Sequence, residues 1–107
     1  MNDVTLPEPV QDFVAATNAH DADALLAVFA PDAVVADDGS TYEGRDRVRE
    51  WLTVHQIEPR VVVSPASFAD GRLLASVDGD FPGGPLTFAF SFTVRDDRIA
   101  ELIVEPA

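Results

Sequence analysis

Apolar residues recur at helical spacing through the first half of the chain and alternate with polar ones through most of the second half. Leu6, Val10, Phe13, Val14 and Thr17 share one face of a helix predicted over residues 6–18, with Pro7 and Pro9 where a first turn tolerates proline. Asp21 is a natural N-cap for a second helix that turns Leu25, Leu26 and Phe29 inward and stops near Pro31. Ala33-Val34-Val35-Ala36 reads as a short strand running into an Asp37-Asp38-Gly39 turn. After Gly44, Val48, Trp51, Leu52 and His55 follow the i, i+3, i+4, i+7 stripe of a third helix, which Pro59 ends.

The remaining segments predict strands. The Val61–Phe68 segment contains Pro65, a residue that sheets tolerate at an edge or a bulge. Asp70-Gly71 is a two-residue hairpin signal, and Leu73, Ala75, Val77 and Phe81 then alternate with polar neighbours or Leu74. Beyond the Pro82-Gly83-Gly84-Pro85 turn, Phe88, Phe90, Phe92 and Val94 line one strand face, and Thr87, Ala89, Ser91 and Thr93 the other. Asp96-Asp97 leads into a last strand with Ala100, Leu102 and Val104 on one face. The economical arrangement is α+β: one curved antiparallel sheet with three N-terminal-half helices packed on its concave face, as a single domain over residues 1–107. Such a sheet leaves a cone-shaped interior that is either filled by large side chains or open to a ligand.

Composition narrows the function classes. The chain has 107 residues, 47% apolar and 24% charged, enough apolar surface for one packed core. Nineteen acidic residues against seven arginines, with no lysine, give a net charge of −12. That field repels phosphate backbones and anionic membranes, so no nucleic acid or membrane partner is expected. Without lysine there is no Schiff-base chemistry, and without cysteine no thiolate metal site or nucleophile. The two histidines are far apart in sequence and set no metal-ligand spacing, and no cofactor motif is present. Met-Asn-Asp-Val-Thr carries no basic or apolar signal region, which predicts a cytoplasmic protein.

The segment from Val10 to Asp21, followed by Leu25 to Val35 and by Gly44 to Trp51, resembles the nuclear transport factor 2-like superfamily, and within it the SnoaL-like and ketosteroid-isomerase-like branch. The resemblance implies a cone fold, a pocket between sheet and helices and a homodimer through the outer sheet face. The superfamily holds isomerases, cyclases, hydrolases, dehydratases and non-enzymatic binding domains, so activity must be argued from the site.

Asp37 is the leading catalytic candidate. It stands at the end of the first strand, where isomerase-like members place a general base, and a carboxylate at the mouth of an apolar pocket can take and return a carbon-bound proton. It equally suits the turn before Gly39. By the resemblance, the two positions that supply oxyanion donors in ketosteroid isomerase hold Phe13 and Phe90 here, and neither donates a hydrogen bond. Tyr42 and His55 are the substitutes: His55 lies on the apolar stripe and would pair with Asp37 if both face one cavity, and Tyr42 lies in the following loop. Phe13, Trp51, Phe88, Phe90, Phe92 and Leu102 form either the wall of a pocket for a small hydrophobic molecule or a filled core. The expected function is binding of such a molecule, with isomerase- or cyclase-like proton transfer through Asp37, or a filled homodimerising domain, as the alternatives.

Overall fold

The computed structural model describes residues 4–107; the first three positions of the N-terminal stretch lie outside them. The elements run α1 (Glu8–Asn18), α2 (Ala22–Ala27), β1 (Phe29–Asp37), β2 (Ser40–Glu43), α3 (Arg45–Leu52), a π-helical turn (Thr53–Ile57), β3 (Val62–Ala69), β4 (Arg72–Asp78), β5 (Leu86–Arg95) and β6 (Arg98–Pro106). Six strands form one curved, unclosed sheet in the order β2-β1-β6-β5-β4-β3, and the helices cover one face. The architecture is the α+β cone. The sheet is mixed rather than wholly antiparallel, because β6 returns beside β1 and pairs with it in parallel. No helix among the described residues is long and apolar enough to cross a membrane.

Local chemistry sets several boundaries. Asp21 caps α2 by accepting from the Ala24 amide at 3.1 Å. Asn18, the last residue of α1, reads the β3 backbone like a strand neighbour: Nδ2 donates to Val63 O at 3.0 Å, and Oδ1 accepts from Val63 N at 2.7 Å. Asp38-Gly39 and Asp70-Gly71 both take positive φ, the backbone twist that tight hairpins require. Asp37 is therefore the last residue of β1, paired with Ser40, and the turn begins after it. Pro65 sits in β3, the edge strand, beside a register shift between Pro65 and Ser67, so the missing N–H leaves no gap in a central ladder.

Besides the wholly antiparallel sheet, and the loop expected at Tyr42 that is instead strand β2 because Tyr42 pairs with Val35, three sequence expectations are corrected. The second helix ends at Ala27, and Phe29, Ala30 and Pro31 belong to β1. The Val28 carbonyl accepts from the Ile99 amide at 2.8 Å, so pairing with β6 takes over from the helical ladder. Pro31 is accommodated where the β1–β6 register shifts, between Phe29 and Val34. In β6, Ala100 is an extra residue between the Thr93–Glu101 and Val94–Ile99 pairs. This bulge turns Ile99 into the core and leaves Val94 42% exposed, whereas strict alternation places Ala100 and Val94 inward. In the third helix, the α ladder stops at Leu52 and the π turn inserts an extra residue. The inward position after Leu52 passes from His55 to Gln56.

The core lies between the helices and the inner sheet face. Phe13 is its hub, with ring centroids 6.2 Å from Phe29, 5.9 Å from Phe90 and 5.3 Å from Phe92. Trp51 extends the cluster, 6.4 Å from Phe29. Edge-to-face pairs of this kind add about 0.5–1.5 kcal/mol each beyond the area they bury.

Candidate functional site

The inner sheet face is not covered along its whole length. Towards the start of β5 and the ends of β1 and β6, a cavity of about 260 Å³ remains between the sheet, the π turn and the loop joining β4 to β5. Its floor and sheet wall are Val77, Phe88, Phe90 and Val104. The π turn contributes His55 and Gln56, and the chain beyond it Pro59 and Val61. Asp80, Phe81 and Leu86 close the outer side.

Asp37 reaches this space because β1 alternates Ala33, Val35 and Asp37 on the helix-facing side. Its Oδ2 accepts from the indole N–H of Trp51 at 2.9 Å, and Trp51 is fully buried. One interaction therefore satisfies the buried indole and fixes the carboxylate. Among the described residues, Oδ1 accepts no hydrogen bond. The α3 stripe positions Trp51, so strand periodicity and helix periodicity together build this pair.

His55 is exposed on its outer side and borders the cavity on the other. The Tyr42 hydroxyl lies 3.4 Å from its Nε2, a long contact, with the rings 6.2 Å apart. Tyr42 shares the helix-facing side of the sheet because β2 pairs it with Val35. The Arg47 guanidinium lies 5.7 Å from the centre of the Tyr42 ring and also pairs with Glu50. Gln56 is only 6% exposed, and its buried Oε1 has no hydrogen-bond partner among the described residues. Such an atom is destabilising by roughly 1–3 kcal/mol until something donates to it.

Phe81 owes its position to glycine. A Cβ on Gly84 would stand 2.8 Å from its Cε1, and one on Gly79 would stand 3.1 Å from its Cε2 and 2.9 Å from the Pro59 carbonyl oxygen. The ring can lie against the cavity only because these two residues lack side chains.

The structure thus brings Asp37, His55, Phe88 and Phe90 to one cavity, with Tyr42 behind His55. Phe13, Trp51, Phe92 and Leu102, expected on the same wall, lie in the core instead. The reason is coverage: α1 lays Phe13 against Phe90 and Phe92, so that end of the interior is filled. Sequence reasoning missed Gln56, which an α-helical period turns away from the core. It also missed Asp80, Phe81 and Leu86 in and beside the β4–β5 loop. The paired glycines around Phe81 were the available signal for the loop; nothing in the spacing marked Gln56.

The sequence profile of the SnoaL-like domain family matches residues 10–102. Among solved structures, a Sinorhizobium meliloti protein provisionally described as a polyketide cyclase is 38% identical, with TM-score 0.85 over 94% of this chain and 95% of that one. A Catenulispora acidiphila protein of ketosteroid isomerase-like fold, in complex with trimethylamine, is 23% identical, with TM-score 0.78 over 96% of this chain and 88% of that one. A Mycobacterium tuberculosis protein in complex with estradiol-17beta-hemisuccinate is 21% identical, with TM-score 0.76 over 92% of this chain and 91% of that one. A search of curated proteins finds no significant match. With a family match spanning most of its length, this chain belongs to the SnoaL-like domain family, and its fold is the nuclear transport factor 2-like cone.

Proposed function

We propose that the chain binds a small, mostly apolar molecule in the cavity, with the Asp37 carboxylate at the polar end. The observation that carries this reading is the juxtaposition of an apolar wall, Phe81, Phe88 and Phe90, with a carboxylate held in place from behind by Trp51. A few fixed polar groups in an apolar hollow are the usual make-up of a ligand site. The Catenulispora and Mycobacterium proteins hold very different molecules, trimethylamine and a steroid hemisuccinate, so the fold leaves the ligand open. The test is a thermal-shift screen of small, mostly apolar compounds. A ligand that binds only the folded chain raises its melting temperature with concentration. Val104→Phe, which fills the cavity, should remove the shift. No stabilising compound, or shifts that survive Val104→Phe, would contradict the reading. A cytoplasmic location, checked by cell fractionation, belongs to the same proposal.

A second reading, proton transfer of the isomerase or cyclase kind, is favoured by one observation: Asp37 and His55 border the same cavity. Asp37 would take the proton from carbon and return the same proton at the product position, with His55 donating a hydrogen bond to the substrate oxygen and Tyr42 orienting its ring. Phe13 and Phe90 pack on each other at 5.9 Å, so a developing oxyanion would find donors only in His55 and the Gln56 amide among the described lining residues. Once a substrate turns over, Asp37→Asn should abolish turnover and spare binding; retained turnover rules out the role.

The homodimer is also a proposal. The outer sheet face carries Ala36, Leu74, Ala89, Ser91 and Ile103 on adjacent strands, small or apolar side chains flanked by Arg72 beside Ser91 and Glu105 beside Ala89. Sheet-to-sheet packing of two copies would bury it. Light scattering at micromolar concentration should give twice the chain mass; the mass of one chain rules this out.

A further inference from the structure

We infer that the ligand of this cavity is a small organic cation: a protonated amine on an apolar body of about one ring. The inference rests on the cavity being a binding site and goes further, to the charge of what it takes.

The charges around the cavity have one sign. Asp37 and Asp80 line it and no arginine does. Arg47, Arg49 and Arg95 are engaged by Glu50, Asp23 and Asp32 on the surface. Arg60 faces a separate cleft with Asp78 and Asp80. The wall's other titratable group, His55, has its Nε2 turned to Tyr42. With a net charge of −12 behind these groups, the low-dielectric walls focus a negative potential into the cavity.

Hydrogen-bonding capacity leans the same way. Oδ2 of Asp37 is occupied by Trp51, while Oδ1 accepts no hydrogen bond among the described residues. The fixed polar group of the cavity has a spare acceptor, so its ligand should bring a donor. An ammonium group supplies N–H donors and positive charge together. An alcohol supplies one donor and no charge, and a carboxylate or enolate supplies neither. The remaining wall suits a cation as well, because Phe81, Phe88 and Phe90 line it and an aromatic ring attracts positive charge to its face. Size sets the upper limit. At about 260 Å³ the space falls below the roughly 300–1,000 Å³ that holds drug-sized molecules, which leaves room for one ring and a short amine arm.

Benzylamine, benzyl alcohol and benzoate are near-isosteric and present a cation, a neutral molecule and an anion at neutral pH. Titrating each into the ¹⁵N-labelled protein, and following the amides of Val77, Phe88 and Val104, tests the inference. Benzylammonium should bind at least ten-fold more tightly than benzyl alcohol, benzoate should not bind, and added salt should weaken the cation alone. Asp37→Asn should remove most of the preference for the cation over the alcohol, and a dispersed amide spectrum like that of the parent chain reports that the variant is folded. Asp80→Asn, at the exposed rim, should reduce the preference by less. Equal or tighter binding of benzyl alcohol or benzoate would overturn the cation inference and leave the cavity reading standing. If none of the three moves these amides at millimolar concentration, both are overturned.

Discussion

One strand, β5, runs through two environments that differ in almost every respect. At Phe92 it passes beneath α1, where Phe13 fills the interior with an edge-on ring contact, and Phe90 marks the boundary, packed on Phe13 on one side and lining the cavity on the other. One pleat earlier, at Phe88, the helices no longer reach and the same sheet face meets a cavity ringed by Asp37, Gln56 and the Phe81 loop. The residue type is the same in both places. What differs is the element above it: an α-helix with a regular apolar stripe closes the narrow end, whereas a π turn and a glycine-framed loop leave the wide end open. An aromatic side chain on a cone's inner face therefore carries no functional meaning until its covering element is known.

The sharpest way to break this comparison is to truncate the rings one at a time and read stability from chemical denaturation. Phe13→Ala, at the hub of the filled end, should cost about 3–5 kcal/mol. Phe88→Ala, half-buried at the open end, should cost about 1–2 kcal/mol. Equal losses would mean that the wide end is packed as well. Trp51→Phe keeps a ring but removes the indole N–H from Asp37; a hydrogen bond to a charged acceptor puts the loss at about 1.5–3 kcal/mol, plus a smaller packing loss. If it is neutral, the carboxylate is not held as described. The smallest effect belongs to Tyr42→Phe. Its hydroxyl makes only the long contact to His55, and the change in stability should stay within about 0.5 kcal/mol. A larger loss would give the Tyr42–His55 pair a structural role that the geometry does not.

Much of this architecture was legible in the residues, for local reasons. Alternation along β4 and β5 fixes which side chains face inward, and Asp-Gly pairs adopt positive φ with little penalty. Asp37 was legible as a strand-end carboxylate from its place in the family pattern, and alternation with Ala33 and Val35 in β1 is what turns it to the helix-facing side. The misreadings fall where one residue is gained or reassigned by contacts distant in sequence. Ala100 is inserted so that Ile99 can pack inward; Phe29 leaves a helix to pair with Ile99; the π turn exchanges His55 for Gln56. In each case a local periodic pattern loses to pairing or packing with a partner that the local pattern does not contain. The cavity depends on all of these choices, so its fixed carboxylate was readable and its unpartnered amide was not.

The account turns on whether the wide end of the cone is a binding cavity and the narrow end a closed core. Amide shift mapping with benzyl alcohol, a neutral probe independent of the charge argument, tests this most directly. The expected shifts centre on Asp37, Gln56, Val77, Phe88 and Val104, with Phe13, Phe29 and Phe92 unmoved. Shifts centred on Leu74, Ala89 and Ile103, or on the Phe13 cluster, would contradict it and move the search for function to the outer sheet face or the narrow end.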